Sequence, residues 1–191
     1  TVSHVFVADE DWAETWKAHI HTEKVGRRIV VRPTWEEYTP LGDEIVIDLD
    51  PGAAFGTGAH ATTAMCIRWL ERIVRPGMHV FDVGCGSGIL SIAAAKLGAH
   101  TVRAMDYDTV AVRVAKENVM QNGAQTCVHV CESDLLAACA PGETAELITA
   151  NIIADIIIRL FPQVEQHLAP GGTFLASGII DDRIVDVERA A

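Results

Sequence analysis

From residue 79 onward, short apolar runs alternate with longer segments whose apolar residues recur every three or four positions. The short runs are typical of buried parallel strands, and the longer segments predict helices. The predicted strands are VFDV at 80–83, TVRAMDYD at 101–108, CVHVCESD at 127–134, AELITANI at 145–152 and TFLASGI at 173–179. Because crossovers between parallel strands are right-handed, this alternation predicts a doubly wound, mostly parallel, Rossmann-like α/β sheet.

Glycines and prolines mark the ends of the predicted helices. The helix over 109–121 stops at Asn122–Gly123, and another begins at Ala154. Pro162 predicts a bend or break in that second helix, because proline lacks a backbone N–H. Pro170–Gly171–Gly172 predicts a turn into the last strand. Further helices are predicted over about 60–74, over 89–97 and after residue 181.

An acidic and aromatic segment, ADEDWAETWKAHI at 8–20, precedes these elements. Asp9 or Asp11 is a suitable N-cap for a short helix. Trp12 and Trp16 lie on one face of that helix, four positions apart, and we expect them to pack on the main domain.

Two further apolar runs, RRIVVRP at 27–33 and EIVIDLDP at 44–51, predict strands joined by a turn-rich segment. Their arrangement predicts a hairpin-like entry to the main domain rather than part of a βαβ repeat. We therefore expect a linker helix and β-hairpin over 1–50 and a ligand-binding domain over 51–191.

A glycine-rich turn follows the first strand of the large sheet. Asp82 is followed by Gly84, Gly86 and Gly88 at every second position. Glycine permits a tight turn and a close approach of the backbone to a ligand. A dinucleotide site has its third glycine one place later, where this chain has Ile89. The pattern therefore favours a nucleoside ligand other than a dinucleotide.

Polar residues end the predicted strands at the edge where parallel sheets bind ligands. Asp106 lies 22 residues beyond Gly84, a separation suited to accepting both ribose hydroxyls. Ser133 and Asp134 end the third strand, where an adenine amino group would be met, and Asn151 ends the fourth. This clustering is stronger evidence for a site than any single motif.

A second glycine-rich loop, PGAAFGTGAHATTAM at 51–65, precedes the large sheet. Thr62 or Thr63 suits the N-cap of the following helix. For His60 by itself, a structural role is expected more often than a catalytic one. The glycines beside Thr57 and the other hydroxyls also suit a loop that folds over a ligand.

The charge balance constrains the partner. The 191 residues carry a net charge of −11, which argues against a nucleic-acid surface and suits a basic protein partner. The five cysteines include no C-x-x-C pair, and the histidines lack metal-ligand spacing, so we predict reduced thiols and no metal site. No membrane-spanning run or secretory signal occurs in the sequence, which favours the cytoplasm.

The motif D-x-G-x-G-x-G resembles motif I of the class I S-adenosylmethionine-dependent methyltransferases. FGTGAHATT at 55–63, DVGCGSGILSIAAAKLGA at 82–99 and ANI at 150–152 closely resemble the bacterial methyltransferases that modify the eleventh large-subunit ribosomal protein. The resemblance runs from Trp12 to SGIIDDR at 177–183. It implies a protein N-methyltransferase that acts on lysine side chains and an α-amino group of that protein.

The resemblance also implies site residues. In the family, the residues matching Thr63, Gly84, Asp106 and Asn151 contact S-adenosylmethionine. With the residues derived above, the expected cofactor site comprises Thr57, Thr63, Gly84, Gly86, Asp106, Ser133, Asp134 and Asn151. The family's N-terminal substrate-docking domain and final strands have no counterpart here, so we expect a methyltransferase core truncated at its C-terminus.

Asn151 is the expected catalytic residue. Its amide oxygen is suited to accepting a hydrogen bond from the substrate amine and aiming the lone pair. Methyltransferases of adenine or glutamine often carry N-P-P-Y here, whereas this chain has Asn151–Ile152–Ile153, which favours an aliphatic amine. No general base is evident, so the proton is expected to leave to solvent.

Three alternatives remain open from the sequence. The same core suits methylation of another amine or a small molecule. A nicotinamide-dependent oxidoreductase is disfavoured by Ile89. The third alternative is a module that binds a nucleoside without catalysis. Substitution of Asn151 would distinguish this alternative, because a module without catalysis has no turnover to lose.

Overall fold

The computed structural model describes residues 21–50 and 60–191, which form eight strands and five α-helices. The strands are β1 (Glu23–Lys24), β2 (Ile29–Arg32), β3 (Ile45–Asp48), β4 (His79–Val83), β5 (Thr101–Asp106), β6 (Val128–Glu132), β7 (Ala145–Asn151) and β8 (Leu168–Ser177). The helices are α1 (Ala61–Ile73), α2 (Ile89–Lys96), α3 (Thr109–Gln121), α4 (Ala154–His167) and α5 (Ile184–Ala190), with a 3₁₀ turn at Asp181–Arg183. Within these ranges, no helix is long and apolar enough to cross a membrane.

Five parallel strands form the large sheet in the order β6-β5-β4-β7-β8. The chain builds outward from β4 through β5 to β6, then returns to the other side of β4 with β7. The strand order therefore reverses between β4 and β7, and α/β sheets bind ligands in the crevice at such a point. The predicted doubly wound, mostly parallel sheet is confirmed.

Two predicted interruptions are absent from the structure. Pro162 lies inside α4, so the predicted break does not occur. Only one backbone hydrogen bond is lost there, while Ile157, Leu160 and Val164 are buried along one face of the helix. The predicted turn at 170–172 lies within β8, where the pairing with β7 shifts register between Ala145 and Leu147.

The two strands predicted over 27–33 and 44–51 exist, but they do not form a hairpin with each other. β2 and β3 are parallel, with Ile29 beside Ile45 and Val31 beside Ile47. Parallel strands need a connection long enough to return the chain to the start of the sheet, and the segment between β2 and β3 is that long. A tight hairpin loop is too short for this. The antiparallel partner of β2 is β1. The predicted helix with Trp12 and Trp16 lies outside the described residues.

Strands β1, β2 and β3 form a second, small sheet, and one apolar core joins it to the large sheet. Ile47 of β3, Leu70 of α1, Ile92 of α2 and Leu147 of β7 are fully buried members of the same cluster. A second cluster fills the opposite face, between the sheet and α4. The domain boundary expected near residue 50 adjoins residues that the structure does not describe, and it stays a prediction.

Candidate functional site

An open cavity of about 1040 Å³ lies at the carboxyl ends of the large sheet's strands, where the strand order reverses. Its walls come from every strand end that the sequence singled out. They include Thr63, Gly84, Gly86, Asp106, Ser133, Asp134 and Asn151. The structure thus brings these seven predicted residues together. Thr57, the eighth, lies outside the described residues.

The glycine turn after β4 forms one wall of the cavity. Gly84, Gly86 and Gly88 have φ angles of +71°, +54° and +81°, which side chains other than glycine rarely adopt. A Cβ atom on Gly84 would lie 2.4 Å from Cγ2 of Ile152, which follows β7. Glycine is therefore required at this position for the ends of the two central strands to meet.

Asp82 lies beneath the glycine turn rather than in the cavity. It is 1% exposed, and it accepts hydrogen bonds from the hydroxyls of Ser91 on α2, 2.5 Å away, and Thr149 on β7, 2.8 Å away. Burial raises the pKa of this carboxyl group. The acidic residue of the sequence motif therefore fixes the turn from below and does not contact a ligand in the cavity.

Asp106 holds the glycine turn with its side chain. Oδ2 accepts a hydrogen bond from the N–H of Gly86 at 2.9 Å, and Oδ1 accepts one from the N–H of Asp108 at 2.9 Å. Each carboxylate oxygen can accept a second hydrogen bond, and Asp106 lines the cavity. A ligand with two adjacent hydroxyl groups suits this arrangement.

The segment after β6 forms the neighbouring wall. The Ser133 hydroxyl donates to the carbonyl of Leu135 at 2.8 Å and accepts from the N–H of Ala138 at 3.0 Å, so its hydrogen bonds hold the loop. The Asp134 carboxylate lies 3.4 Å from a guanidinium nitrogen of Arg159 on α4, and both side chains are more than half exposed. Asp134 is therefore the more available acceptor in this wall.

Asn151 places an amide oxygen at the end of β7. Its Nδ2 donates to the hydroxyl of Thr63 on α1 at 3.3 Å. Its Oδ1 is buried and has no hydrogen-bond partner, and no other buried side-chain polar atom within the described residues is in that state. Because an unpaired buried acceptor costs free energy, such an atom marks a position where a donor from a ligand belongs.

The N-cap of α1 is His60, not Thr62 or Thr63 as the sequence suggested. The His60 Nδ1 atom accepts a hydrogen bond from the N–H of Thr62 at 3.4 Å and lies 2.7 Å from the Thr62 hydroxyl. A histidine in this position satisfies an orphan N–H at the start of the helix, as a hydroxyl would. Thr63 is left to face Asn151.

Other residues of the cavity wall were not identified from the sequence. Tyr107, Ile153, Arg159, Gly178 and Ile180 all line it. Tyr107 and Gly178 directly follow a strand, and Ile153 lies two residues after one. This position at a strand end could have identified them from the sequence. Arg159 and Ile180 have no local signal, because tertiary packing alone brings them to the cavity.

Cys85 lines the cavity but lacks the properties of a nucleophile. Its side chain is buried, and burial raises the pKa of the thiol well above its usual value. The thiol is therefore protonated at neutral pH. Among the residues described, no group of His, Cys, Asp and Glu side chains has metal-binding geometry.

The whole chain, residues 1–191, matches the family described as ribosomal protein L11 methyltransferase. A curated ribosomal protein L11 methyltransferase of Caldanaerobacter subterraneus subsp. tengcongensis is 59% identical over 97% of this chain and 59% of its own length. The one from Heliobacterium modesticaldum is 57% identical over 95% of this chain and 57% of its own length. The chain thus spans less than two thirds of these relatives.

Solved structures agree with this similarity. A crystal structure of ribosomal protein L11 methylase from Lactobacillus delbrueckii subsp. bulgaricus is 37% identical, with a TM-score of 0.80 over 90% of this chain and 86% of the other. The T. thermophilus 16S rRNA N2 G1207 methyltransferase has a TM-score of 0.58 at 20% identity, covering 64% of this chain and 36% of its own, which shows a shared fold.

Proposed function

This chain belongs to the ribosomal protein L11 methyltransferase family, and from that membership we propose that it methylates amino groups of ribosomal protein L11. L11 is the eleventh protein of the large ribosomal subunit. The proposed methyl donor is S-adenosylmethionine, and the proposed acceptors are lysine side chains and an α-amino group. The chain covers 59% of the length of its relative from Caldanaerobacter. Methylation of L11 by this chain is therefore a proposal.

The observation that carries this proposal is the unpartnered amide oxygen of Asn151. This oxygen is buried at the wall of the cavity. Because Nδ2 of Asn151 donates to Thr63 on α1, Oδ1 points away from that hydroxyl. An amine supplies the N–H donor that this acceptor lacks. The absence of a proline pair and an aromatic residue after Asn151 favours an aliphatic amine over a planar amide or base.

The residues around the cavity fit an adenosine-containing cofactor. We assign its ribose hydroxyls to the free acceptor positions of Asp106 and its backbone contacts to Gly84 and Gly86. We assign its adenine amino group to the Asp134 side, with Ser133 holding that loop. Thr57, Thr63 and Asn151 complete the proposed set, and Thr63 accepts a hydrogen bond from Asn151.

When bound, S-adenosylmethionine supplies a methyl group on a cationic sulfonium for an in-line displacement. A lysine amine has a pKa near 10.4, and only its neutral form carries a lone pair. Apolar side chains of the cavity wall, Ile152 among them, would lower that pKa by excluding water from the amine. Asn151 accepts one N–H of the amine and so aims the lone pair, and the proton lost on methylation leaves to solvent. Catalysis in this site consists mainly of positioning.

The net charge of −11 supports a basic protein partner and argues against a nucleic-acid surface. We also propose the cytoplasm as the location, because ribosomal proteins are found there.

Calorimetric titration tests the cofactor assignment. We expect S-adenosylhomocysteine to bind saturably and NAD not to bind. Asp106→Ala should weaken the binding by tenfold or more, because two ribose hydroxyls lose their charged acceptor. Each hydrogen bond to a charged group contributes roughly 1.5 kcal/mol or more. Circular dichroism checks that the variant is folded. Binding of NAD in place of S-adenosylhomocysteine would contradict the proposal.

Methyl transfer itself is measured by mass spectrometry of L11 incubated with the chain and S-adenosylmethionine. Asn151→Ala should lower the rate by about a hundredfold, well beyond any loss of S-adenosylhomocysteine affinity, because aiming the amine acts on transfer more than on cofactor binding. Equal rates for the two proteins would remove Asn151 from the mechanism.

A further inference from the structure

Two large apolar side chains stand exposed at the mouth of the cavity. Ile153 is 64% exposed and Ile180 is 67% exposed, and both line the cavity. An isolated exposed isoleucine needs no explanation, but two of them at one cavity mouth form an apolar rim. We call this pair the isoleucine rim.

Backbone contacts join the two segments that carry these isoleucines. Asn151 pairs with Ser177 across β7 and β8, and the Ile152 N–H donates to the Ser177 carbonyl at 3.1 Å. Gly178 packs against the Ile152 backbone so closely that a Cβ atom would lie 2.6 Å from the Ile152 carbonyl oxygen. Ile153 and Ile180 therefore lie two and three residues beyond the paired Asn151 and Ser177, on the wall of the same cavity.

An ion pair ties the two sides of the rim together. Arg183, three residues after Ile180, lies 2.6 Å from the carboxylate of Asp155 in the first turn of α4 and 2.8 Å from that of Asp186. The contact with Arg183 lowers the pKa of the Asp155 carboxyl group. The Arg183 charge is thereby satisfied within the protein.

Two other carboxylates beside the rim, those of Asp181 and Asp182, lack such an ion pair among the described residues. Both residues follow Ile180 directly and are exposed. The other charges that face the cavity are Asp106, Asp108 and the paired Asp134 and Arg159. The mouth of the cavity is therefore apolar with an excess of negative charge at its edge.

We propose that the isoleucine rim, with Asp181 and Asp182, is the specificity surface that admits a lysine side chain from a basic peptide segment. The four-carbon stem of the lysine packs between Ile153 and Ile180, its amine reaches the Asn151 oxygen, and basic neighbours in the peptide face the two aspartates. The chemistry matches because lysine combines a long apolar stem with a charged tip. This inference rests on the proposed function but concerns binding, which is measurable without turnover.

Fluorescence anisotropy of labelled peptides, with S-adenosylhomocysteine present, tests the proposal. The probes are an eleven-residue peptide with a central lysine flanked by lysines, one with flanking glutamines, and one with a central glutamine flanked by lysines. We expect the first to bind most tightly. Ile180→Ser and Ile153→Ser should each weaken it by about tenfold through lost apolar burial.

Asp181→Asn/Asp182→Asn should weaken only the lysine-flanked peptides, by about threefold to tenfold at low salt, and the loss should fade at high salt. Matched controls away from the cavity are Met120→Ser, which alters a 67% exposed side chain on α3, and the exposed pair Glu23→Gln/Glu165→Gln. The controls should retain wild-type affinity.

Peptide binding that is equal in the rim variants and the controls overturns the inference, as does the absence of binding in the wild type. Binding that depends on the rim in a chain that transfers no methyl group leaves the inference standing and removes the proposed function instead.

Discussion

Ile152 is held by glycine on both sides, and this contact positions Asn151. Gly84 leaves room for the Ile152 side chain, and Gly178 leaves room for its backbone. A methyl group at either position would push Ile152 away from the sheet end. The acceptor on the preceding residue would move with it, and positioning errors of about 1 Å can lower enzymatic rates by about a hundredfold.

We predict that Gly178→Ala lowers the methyl-transfer rate more than tenfold, because its Cβ would meet the Ile152 carbonyl oxygen at 2.6 Å. Gly142→Ala is the matched control, since Gly142 has a φ of +82° against +84° for Gly178 and has no atom within 4 Å of the added Cβ. Both variants lose about 1 kcal/mol to backbone strain. Equal rates in the two variants would show that the contact with Ile152 is unimportant.

Among the elements, α1 connects the small sheet to the site. The Glu71 carboxylate on α1 accepts hydrogen bonds from the backbone N–H groups of Arg27, Arg28 and Ile29, at 2.7, 2.7 and 2.9 Å. The turn between β1 and β2 thus folds around a side chain of the helix that also carries Thr63. Anchoring of the small sheet and placement of the Asn151 partner therefore depend on one helix.

Glu71→Gln should lower the free energy of unfolding by about 1–3 kcal/mol, because the turn loses a charged acceptor and one acceptor oxygen becomes a donor. Urea denaturation followed by circular dichroism measures the change. The control Glu165→Gln, an exposed residue of α4, should stay within about 0.5 kcal/mol of the wild type. A Glu71→Gln midpoint equal to that of the control would contradict the anchoring role.

At the scale of the whole molecule, the small sheet and the large sheet are stabilised together. Their buried residues belong to one cluster that includes Ile47 and Leu147. An interaction within the small sheet should therefore contribute to global unfolding rather than to a separate transition. Two carboxylates near that sheet make this measurable.

Stability should fall between about pH 4.5 and pH 2. Hydrogen bonds from Thr22 and His21 lower the pKa of Glu36 from 4.5 to about 2, and hydrogen bonds from Lys24, Tyr38 and the Leu41 N–H lower that of Glu44 from 4.5 to about 2. Depressed carboxyl pKa values stabilise the folded state above the unfolded value and lose that effect as pH falls toward the folded value. Urea midpoints measured against pH should show a shallower slope for Glu36→Gln/Glu44→Gln. An identical slope in that variant would refute the linkage.

The sequence by itself determined the large sheet, the strand ends and the group of polar residues that line the cavity. These features follow from local patterns: apolar runs specify buried strands, glycines specify turns, and parallel strands place their carboxyl ends at one edge. The α3 bounds of Thr109–Gln121 agree with the sequence prediction because Asp108 caps the helix locally, its carboxylate accepting from the Val110 N–H at 2.8 Å.

Only the tertiary structure decided the parallel pairing of β2 with β3, the burial of Asp82 beneath the turn, the orientation of Asn151 against Thr63, and the placement of Ile153 and Ile180 on one cavity wall. Each of these joins residues distant in the sequence, such as Asn151 and Thr63, which are 88 positions apart. Local patterns cannot specify such partners, because the choice among them depends on which arrangement buries the shared core.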